Sequence, residues 1–106
     1  MKRFCFALDL KNDEHLIKEY EAYHKNVWPE IIDGIKKVGI TDMQIFRVSN
    51  RMFMIMETVP DFDYDKQIKL LGSLPKQKEW EELMWKYQQA LIDGQKWVPM
   101  QQIFKL

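Results

Sequence analysis

The chain has 106 residues, and its 16 lysine and arginine residues balance 16 aspartate and glutamate residues, for a formal net charge of zero. Hydrophobic residues make up 46% and charged residues 30%, the mix of an ordinary globular protein. This balance predicts no attraction to nucleic acid or to an anionic membrane, and the length predicts a single domain over residues 1–106.

The cysteine and histidine content argues against a disulfide or a metal site. Cys5 is the only cysteine, and His15 and His24 have no cysteine or histidine at a spacing typical of metal ligands. The basic, then apolar N-terminus is too short for a signal peptide, and no apolar stretch is long enough to span a membrane. The sequence therefore predicts no metal and a cytoplasmic location.

The chain begins with a predicted strand over residues 2–10, in which large apolar residues alternate with small ones. Asn12 is the predicted N-cap of a first helix. Pro29 lacks an N–H group, so it is expected to end that helix and to begin a second one, which runs to about Val38. Gly39 follows at the position where a left-handed residue ends a helix.

The middle of the chain predicts a β-hairpin with strands over residues 40–48 and 51–58. Ser49 and Asn50 form its two-residue connection, in which asparagine tolerates a positive φ. The second strand is apolar on both faces over most of its length, which indicates a central strand covered on both sides.

Two helices and a strand are predicted for the last third of the chain. Residues 60–74 predict a connection with a short helix that ends near Gly72. A longer helix follows, with an apolar stripe over 80–91, and Gly94 is expected to end it. Alternation over residues 98–105 predicts the last strand.

This order of elements predicts the fold class. Strand, broken helix, two strands, broken helix and strand form the split βαβ pattern of an α+β ferredoxin-like fold, with a four-stranded antiparallel sheet and helices on one face. The other face would expose a contiguous apolar patch, which is typical of an interaction surface. We therefore expect a homodimer packed sheet to sheet, as in dimeric α+β barrels.

A candidate ligand site lies around the predicted helix break. Tyr20 and His24 are four residues apart and therefore share a helix face. Trp28 precedes proline, which disfavours the α conformation and lets the indole turn toward the same cavity. A phenol, an imidazole and an indole suit a small polyhydroxylated ligand, because aromatic faces cover C–H surfaces while polar groups bind hydroxyls.

The chain resembles the L-rhamnose mutarotase family over nearly its whole length. The resemblance rests on the run YEAYHKNVWPE from Tyr20 to Glu30, on Trp85-Lys86-Tyr87, and on the ending from Gln102 to Leu106. The first motif is fairly specific, because its histidine, tryptophan and proline have the family's spacing. The resemblance implies a dimeric ferredoxin-like enzyme of L-rhamnose metabolism, an isomerase of the aldose 1-epimerase type that interconverts pyranose anomers without a cofactor.

By this resemblance His24 corresponds to the family's proton donor and Tyr20 to a substrate-binding tyrosine. Trp85 corresponds to the second of two adjacent tryptophans that contact the sugar. Met84 stands where the family has the first of them, and Met43 stands where it has a sugar-contacting tyrosine. Both replacements remove hydrogen-bonding or stacking capacity, so the preferred sugar stays open between L-rhamnose and a related deoxy sugar such as L-fucose.

The expected chemistry is the opening and closing of a pyranose ring by general acid–base catalysis. Imidazole has a reference pKa of about 6.5 and can carry protons in both directions at neutral pH. The base stays open between water, a tyrosine and a carboxylate. A non-catalytic sugar-binding module and a cofactor-independent oxygenase are the alternatives, because the fold alone does not separate these functions.

Overall fold

An antiparallel sheet forms the base of the fold, in a computed structural model that describes every residue from Met1 to Leu106. Its strands are β1 (Lys2–Leu10), β2 (Ile40–Val48), β3 (Arg51–Thr58), β4 (Gln88–Gln89) and β5 (Val98–Pro99). The spatial order is β2-β3-β1-β4, and β5 pairs with β1 beside β4. The predicted α+β ferredoxin-like architecture is confirmed, with the fourth strand position divided between two short strands.

Four helices cover one face of this sheet. They are α1 (Glu14–Lys25), α2 (Pro29–Lys37), α3 (Tyr64–Ser73) and α4 (Gln77–Trp85). The predicted break is present, because Pro29 is the first residue of α2. The predicted N-cap at Asn12 is wrong by one residue, since the Asp13 carboxylate accepts the hydrogen bond from the Leu16 N–H. None of the helices combines the length and the apolar character that a membrane crossing requires.

The hairpin has the predicted two-residue connection, because Val48 pairs with Arg51. The left-handed residue is Ser49, with φ of 53°, and not Asn50 as the sequence predicted. Asn50 instead holds the end of β1: its side-chain amide donates to the Leu10 carbonyl, and its own carbonyl accepts from the Leu10 N–H. This tertiary contact determines which of the two turn residues takes the unusual conformation.

The predicted long helix and last strand are both too long. Helix α4 ends at Trp85, and the next residues pair with β1, so Leu91 is exposed and Gly94 lies in the connection to β5. The unpaired edge of β1 explains why α4 ends here. Strand pairing gives hydrogen-bond partners to backbone groups of β1 that would have none if the helix continued. Pro99, the last residue of β5, has no N–H group to donate to a strand hydrogen bond. Residues 100–106 are exposed and have no regular secondary structure.

The two sheet faces differ in how they are covered. On the helix side, alternate residues of β1 and β3 are buried in two adjoining core clusters: Phe6, Leu8, Leu10, Met52, Met54 and Met56. The opposite side, here called the open sheet face, carries Ala7, Phe46, Phe53 and Ile55. Phe46 and Phe53 stack with their ring centroids 6.4 Å apart, and Phe46 remains 52% exposed.

The end of α2 gives a first test of the fold. Gly39 has φ of 98°, as predicted, and a Cβ built there would meet Val59 at 2.9 Å. We expect Gly39→Ala to lower the free energy of unfolding by about 1–3 kcal/mol, through backbone strain and crowding. Gly72→Ala is the control, because its Cβ would meet no atom within 4 Å in a helix; it should be neutral or stabilising by up to about 1 kcal/mol. Urea unfolding measures both, and equal effects would contradict a special backbone requirement at Gly39.

Candidate active site

Trp80 is the centre of an aromatic cluster that joins α1, the helix break and α4. Its ring centroid lies 5.7 Å from that of His24, 5.1 Å from Trp28 and 6.3 Å from Tyr23, and its side chain is 9% exposed. Trp28 takes an extended conformation with ψ of 135° directly before the proline, which brings its indole to Trp80. The break in the helix therefore positions one wall of the cluster.

His24 is half-buried, and one of its two ring nitrogens has a defined partner. Its Nδ1 lies 2.8 Å from the backbone carbonyl oxygen of Tyr20. A carbonyl oxygen only accepts, so Nδ1 carries the proton and donates it. Nε2 is then the atom that gains or loses a proton when the ring changes charge. The contact fixes the imidazole in the orientation and tautomer that a proton-transfer group requires.

Tyr20 lies directly against this imidazole, with the two ring centroids 4.4 Å apart. It is 3% exposed, and its hydroxyl accepts a hydrogen bond of 3.1 Å from Nε2 of Gln88. Burial raises the pKa of Tyr20 to about 12, and the Gln88 hydrogen bond opposes part of that rise. The Tyr20 phenol is therefore protonated at neutral pH and can donate a hydrogen bond but does not serve as a ready base.

Tyr87 follows α4 and packs between two tyrosines of α1, with its ring centroid 6.1 Å from Tyr20 and 6.0 Å from Tyr23. Burial raises the pKa of Tyr87 to about 12, and the neighbouring Glu19 carboxylate and Tyr23 phenol add to the rise. Like Tyr20, it is a neutral hydrogen-bonding group at physiological pH.

A cleft of about 580 Å³ opens beside this cluster. Its lining residues are Glu19, Ala22, Tyr23, Asn26, Trp28 and Tyr87. Glu19, Ala22 and Tyr23 of α1 and its C-cap Asn26 share one side at helical spacing, whereas Tyr20 and His24 share the neighbouring side. Trp28 is thus the one predicted site residue that lines the cleft, and the imidazole lies on the adjacent side of the helix.

The structure brings most of the predicted site residues together, but not all. Tyr20, Trp28 and Met84 belong to one core cluster with Trp80, and Met84 is 4% exposed. Met43 packs against the other cluster, around Phe6 and Phe62. Trp85 is 38% exposed, and the Lys96 ammonium lies 5.3 Å from its ring centroid.

Several residues of the site were not predicted as functional. Tyr23, Trp80 and Tyr87 are part of apolar helical stripes, which sequence periodicity assigns to the core. Glu19 has no distinguishing pattern. Gln88 has no local signal either, because its contact with Tyr20 spans 68 positions of the chain.

The fold and the site define a class: a small ferredoxin-like α+β protein with an oriented histidine among aromatic side chains. A family model described as L-rhamnose mutarotase matches residues 3–106. The chain belongs to the L-rhamnose mutarotase family.

Three relatives resemble the chain over nearly its whole length. A UPF0734 protein of Dictyostelium discoideum is 40% identical over 112 residues, covering 99% of this chain and 90% of the relative. An L-fucose mutarotase of Xanthomonas campestris pv. campestris is 37% identical over 111 residues, covering 100% of this chain and 89% of the relative. The crystal structure of an L-rhamnose mutarotase from Formosa agariphila has the same fold, with a TM-score of 0.75, 21% identity, and coverage of 100% of this chain and 99% of that one.

The two tryptophans of α4 are expected to differ in their contribution to stability. Trp80→Ala should lower the free energy of unfolding by about 3–5 kcal/mol, the usual cost of removing a buried aromatic ring. Trp85→Ala should cost clearly less than Trp80→Ala, because Trp85 is 38% exposed and Trp80 only 9%. Denaturant unfolding followed by circular dichroism measures both, and similar losses in the two variants would contradict this division.

Proposed function

We propose that this protein is a sugar mutarotase that interconverts the α and β pyranose anomers of L-rhamnose or of a related deoxy sugar such as L-fucose. The observation that carries the proposal is the orientation of His24, whose Nδ1 is held by the Tyr20 carbonyl while Nε2 is left to exchange a proton. Membership of the L-rhamnose mutarotase family supports the same reaction.

In the proposed mechanism, His24 in its charged form donates the Nε2 proton to the ring oxygen of the sugar. A base removes the proton of the anomeric hydroxyl, the bond between the anomeric carbon and the ring oxygen breaks, and an open-chain aldehyde forms. Rotation about the next carbon–carbon bond presents the other face, and the reverse proton transfers close the ring. The carbon–oxygen bond that breaks is formed again, the protons are returned, and no atom changes its net oxidation state, so the reaction itself requires no redox cofactor.

The raised pKa values of two tyrosines argue against a tyrosine as the base. With pKa values raised to about 12, Tyr20 and Tyr87 hold their protons at neutral pH. Efficient general bases have a pKa near the working pH. Water or a carboxylate is therefore the better proton acceptor, and Tyr20 serves as a hydrogen-bond donor to the sugar.

The sugar is proposed to lie beside His24, Tyr20 and Trp28. By family correspondence, Met43, Met84 and Trp85 stand at positions that contact the sugar, and Trp85 is proposed to approach it. Met84 is buried beside Trp80 and Met43 packs against the other core cluster, so the methionines are proposed to act by shaping the core behind the site. The comparisons point to two possible substrates: the family model names L-rhamnose, and the Xanthomonas relative is an L-fucose mutarotase. We propose that the two methionines influence which of these sugars is preferred, because they replace aromatic groups of the family pattern.

We expect wild-type protein to accelerate anomer exchange and His24→Ala to lose most of this acceleration. The loss should be about 10²–10⁴-fold, the range of a positioned acid or base. Saturation-transfer NMR on equilibrated L-rhamnose, with L-fucose in parallel, measures exchange between the two anomeric protons directly. His15→Ala is the matched control, because His15 lies on the same helix but is exposed and paired with Glu19 at 3.0 Å.

Three outcomes separate the alternatives. Full exchange by His24→Ala would place the proton donor elsewhere while leaving the mutarotase proposal intact. Sugar binding without acceleration by the wild type would favour a non-catalytic sugar-binding module. Acceleration of anomer exchange for L-fucose alone would identify L-fucose as the preferred substrate.

We further propose that the protein is a homodimer that buries the open sheet face, in the cytoplasm. Phe46 and Phe53 stack against each other on this face, and apolar side chains of that size are typical of interface cores. Phe46→Asp should therefore shift the protein to a monomer in multi-angle light scattering. Ile32→Asp, at an exposed apolar position on α2, should leave the mass unchanged. A monomeric wild type at micromolar concentration would contradict the proposal.

A further inference from the structure

Gln88 is a buried polar side chain in an otherwise apolar part of the core. It is 7% exposed and lies on β4, where it pairs with Leu10 of β1. The adjoining hydrogen bond from the Lys11 N–H to the Tyr87 carbonyl holds the preceding residue in place. The sheet therefore determines where the Gln88 amide lies, and that amide is directed at the hydroxyl of Tyr20, 3.1 Å away.

The direction of this hydrogen bond determines what the Tyr20 hydroxyl can do. The Gln88 Nε2 group donates, so the hydroxyl oxygen accepts. A phenol has one proton of its own, and that proton remains available for a different acceptor. If the side chain at position 88 presented an acceptor instead, the hydroxyl would give its proton to that acceptor and would have none to offer a ligand.

The Tyr20 ring itself has little freedom. It lies between the His24 ring, at 4.4 Å between centroids, and the Tyr87 ring, at 6.1 Å, and it is almost fully buried. With the ring fixed, rotation about the C–O bond is the remaining freedom of the hydroxyl, and a donor on one side of the oxygen restricts it. The phenol proton is thereby directed away from Gln88.

We propose that Gln88 is a positioning residue that makes the Tyr20 hydroxyl a hydrogen-bond donor toward an oxygen of the sugar held beside His24. This inference rests on the proposed mutarotase function and deepens it, because it assigns the polarity of one contact between the enzyme and its substrate. The phenol keeps its proton over the working range, since burial raises the pKa of Tyr20 to about 12. The recognised group is an acceptor oxygen, which a pyranose presents as its ring oxygen or as a hydroxyl.

A double-mutant cycle tests this role. Gln88→Met keeps the length of the side chain and removes the donor, and Tyr20→Phe removes the hydroxyl. Each should lower kcat/KM for anomer exchange by about threefold to tenfold, the range of one neutral hydrogen bond. Because Gln88 acts through Tyr20, adding Gln88→Met to Tyr20→Phe should change kcat/KM by less than about twofold.

A reversed hydrogen bond gives a second, independent prediction. In Gln88→Glu, a carboxylate above its own pKa would accept the Tyr20 proton, so at a pH where this carboxyl is ionised kcat/KM should fall at least as far as in Gln88→Met. The control is Gln89→Met on the same short strand, where the side chain is exposed; it should retain wild-type exchange. Melting temperatures of all variants, measured in parallel, show that the proteins compared are folded under the assay conditions.

The results separate this inference from the proposed function. Wild-type acceleration together with an unchanged Gln88→Met variant would overturn the role of Gln88 and leave the mutarotase in place. An equal loss from Gln88→Met in the wild-type and Tyr20→Phe backgrounds would show a purely structural role and would also overturn it. Absence of acceleration by the wild type with every deoxy sugar would overturn the function and the inference together.

Discussion

The inability of Pro29 to continue a helix is the constraint on which the rest of the site depends. Without an N–H group it cannot follow α1, so the chain turns at Trp28 and begins α2 in a new direction. The turn places the Trp28 indole against Trp80, which comes from the other half of the chain. Trp80 in turn packs against His24. One backbone restriction thus joins the two halves of the fold at the point where the oriented imidazole lies.

The site is built from short contacts between secondary structures that are distant in sequence. The carbonyl of Tyr20 orients His24 within one helix, and Gln88 reaches the Tyr20 hydroxyl from the edge of the sheet. These two hydrogen bonds meet at Tyr20, which is buried and keeps its proton. Tyr20 therefore contacts His24 through its backbone carbonyl and the sheet edge through its hydroxyl.

The open sheet face and the site lie on opposite sides of the sheet. The helix side is filled by the core and the aromatic cluster, while Phe46 and Phe53 face outward from β2 and β3. Burying the open face in a dimer would leave the His24 side accessible to a small sugar. The proposed assembly and the support of the site would therefore use different surfaces of the sheet.

Features that depend on neighbouring residues could be predicted from the chain alone. Alternation identified β1, and the two-residue connection Ser49-Asn50 between apolar runs indicated β2 and β3. Pro29 and Gly39 identified the limits of α2, because these residues restrict or release the backbone wherever they occur. The spacing of Tyr20, His24 and Trp28 indicated a shared site, which remains a proposal in its chemistry. Periodicity also extended α4 too far, since Tyr87 and Leu91 continue the helical pattern.

The remaining features depend on contacts between distant segments. The free edge of β1 draws Gln88 into a strand, and competition of this kind between a helix and a distant partner has no signal in the local sequence. The same pairing creates the contact between Gln88 and Tyr20. Met84 is buried in one core cluster, whereas Met43 packs against the other. Local backbone restrictions can be recognised from single residues and their neighbours, whereas these contacts form only when distant segments pack together.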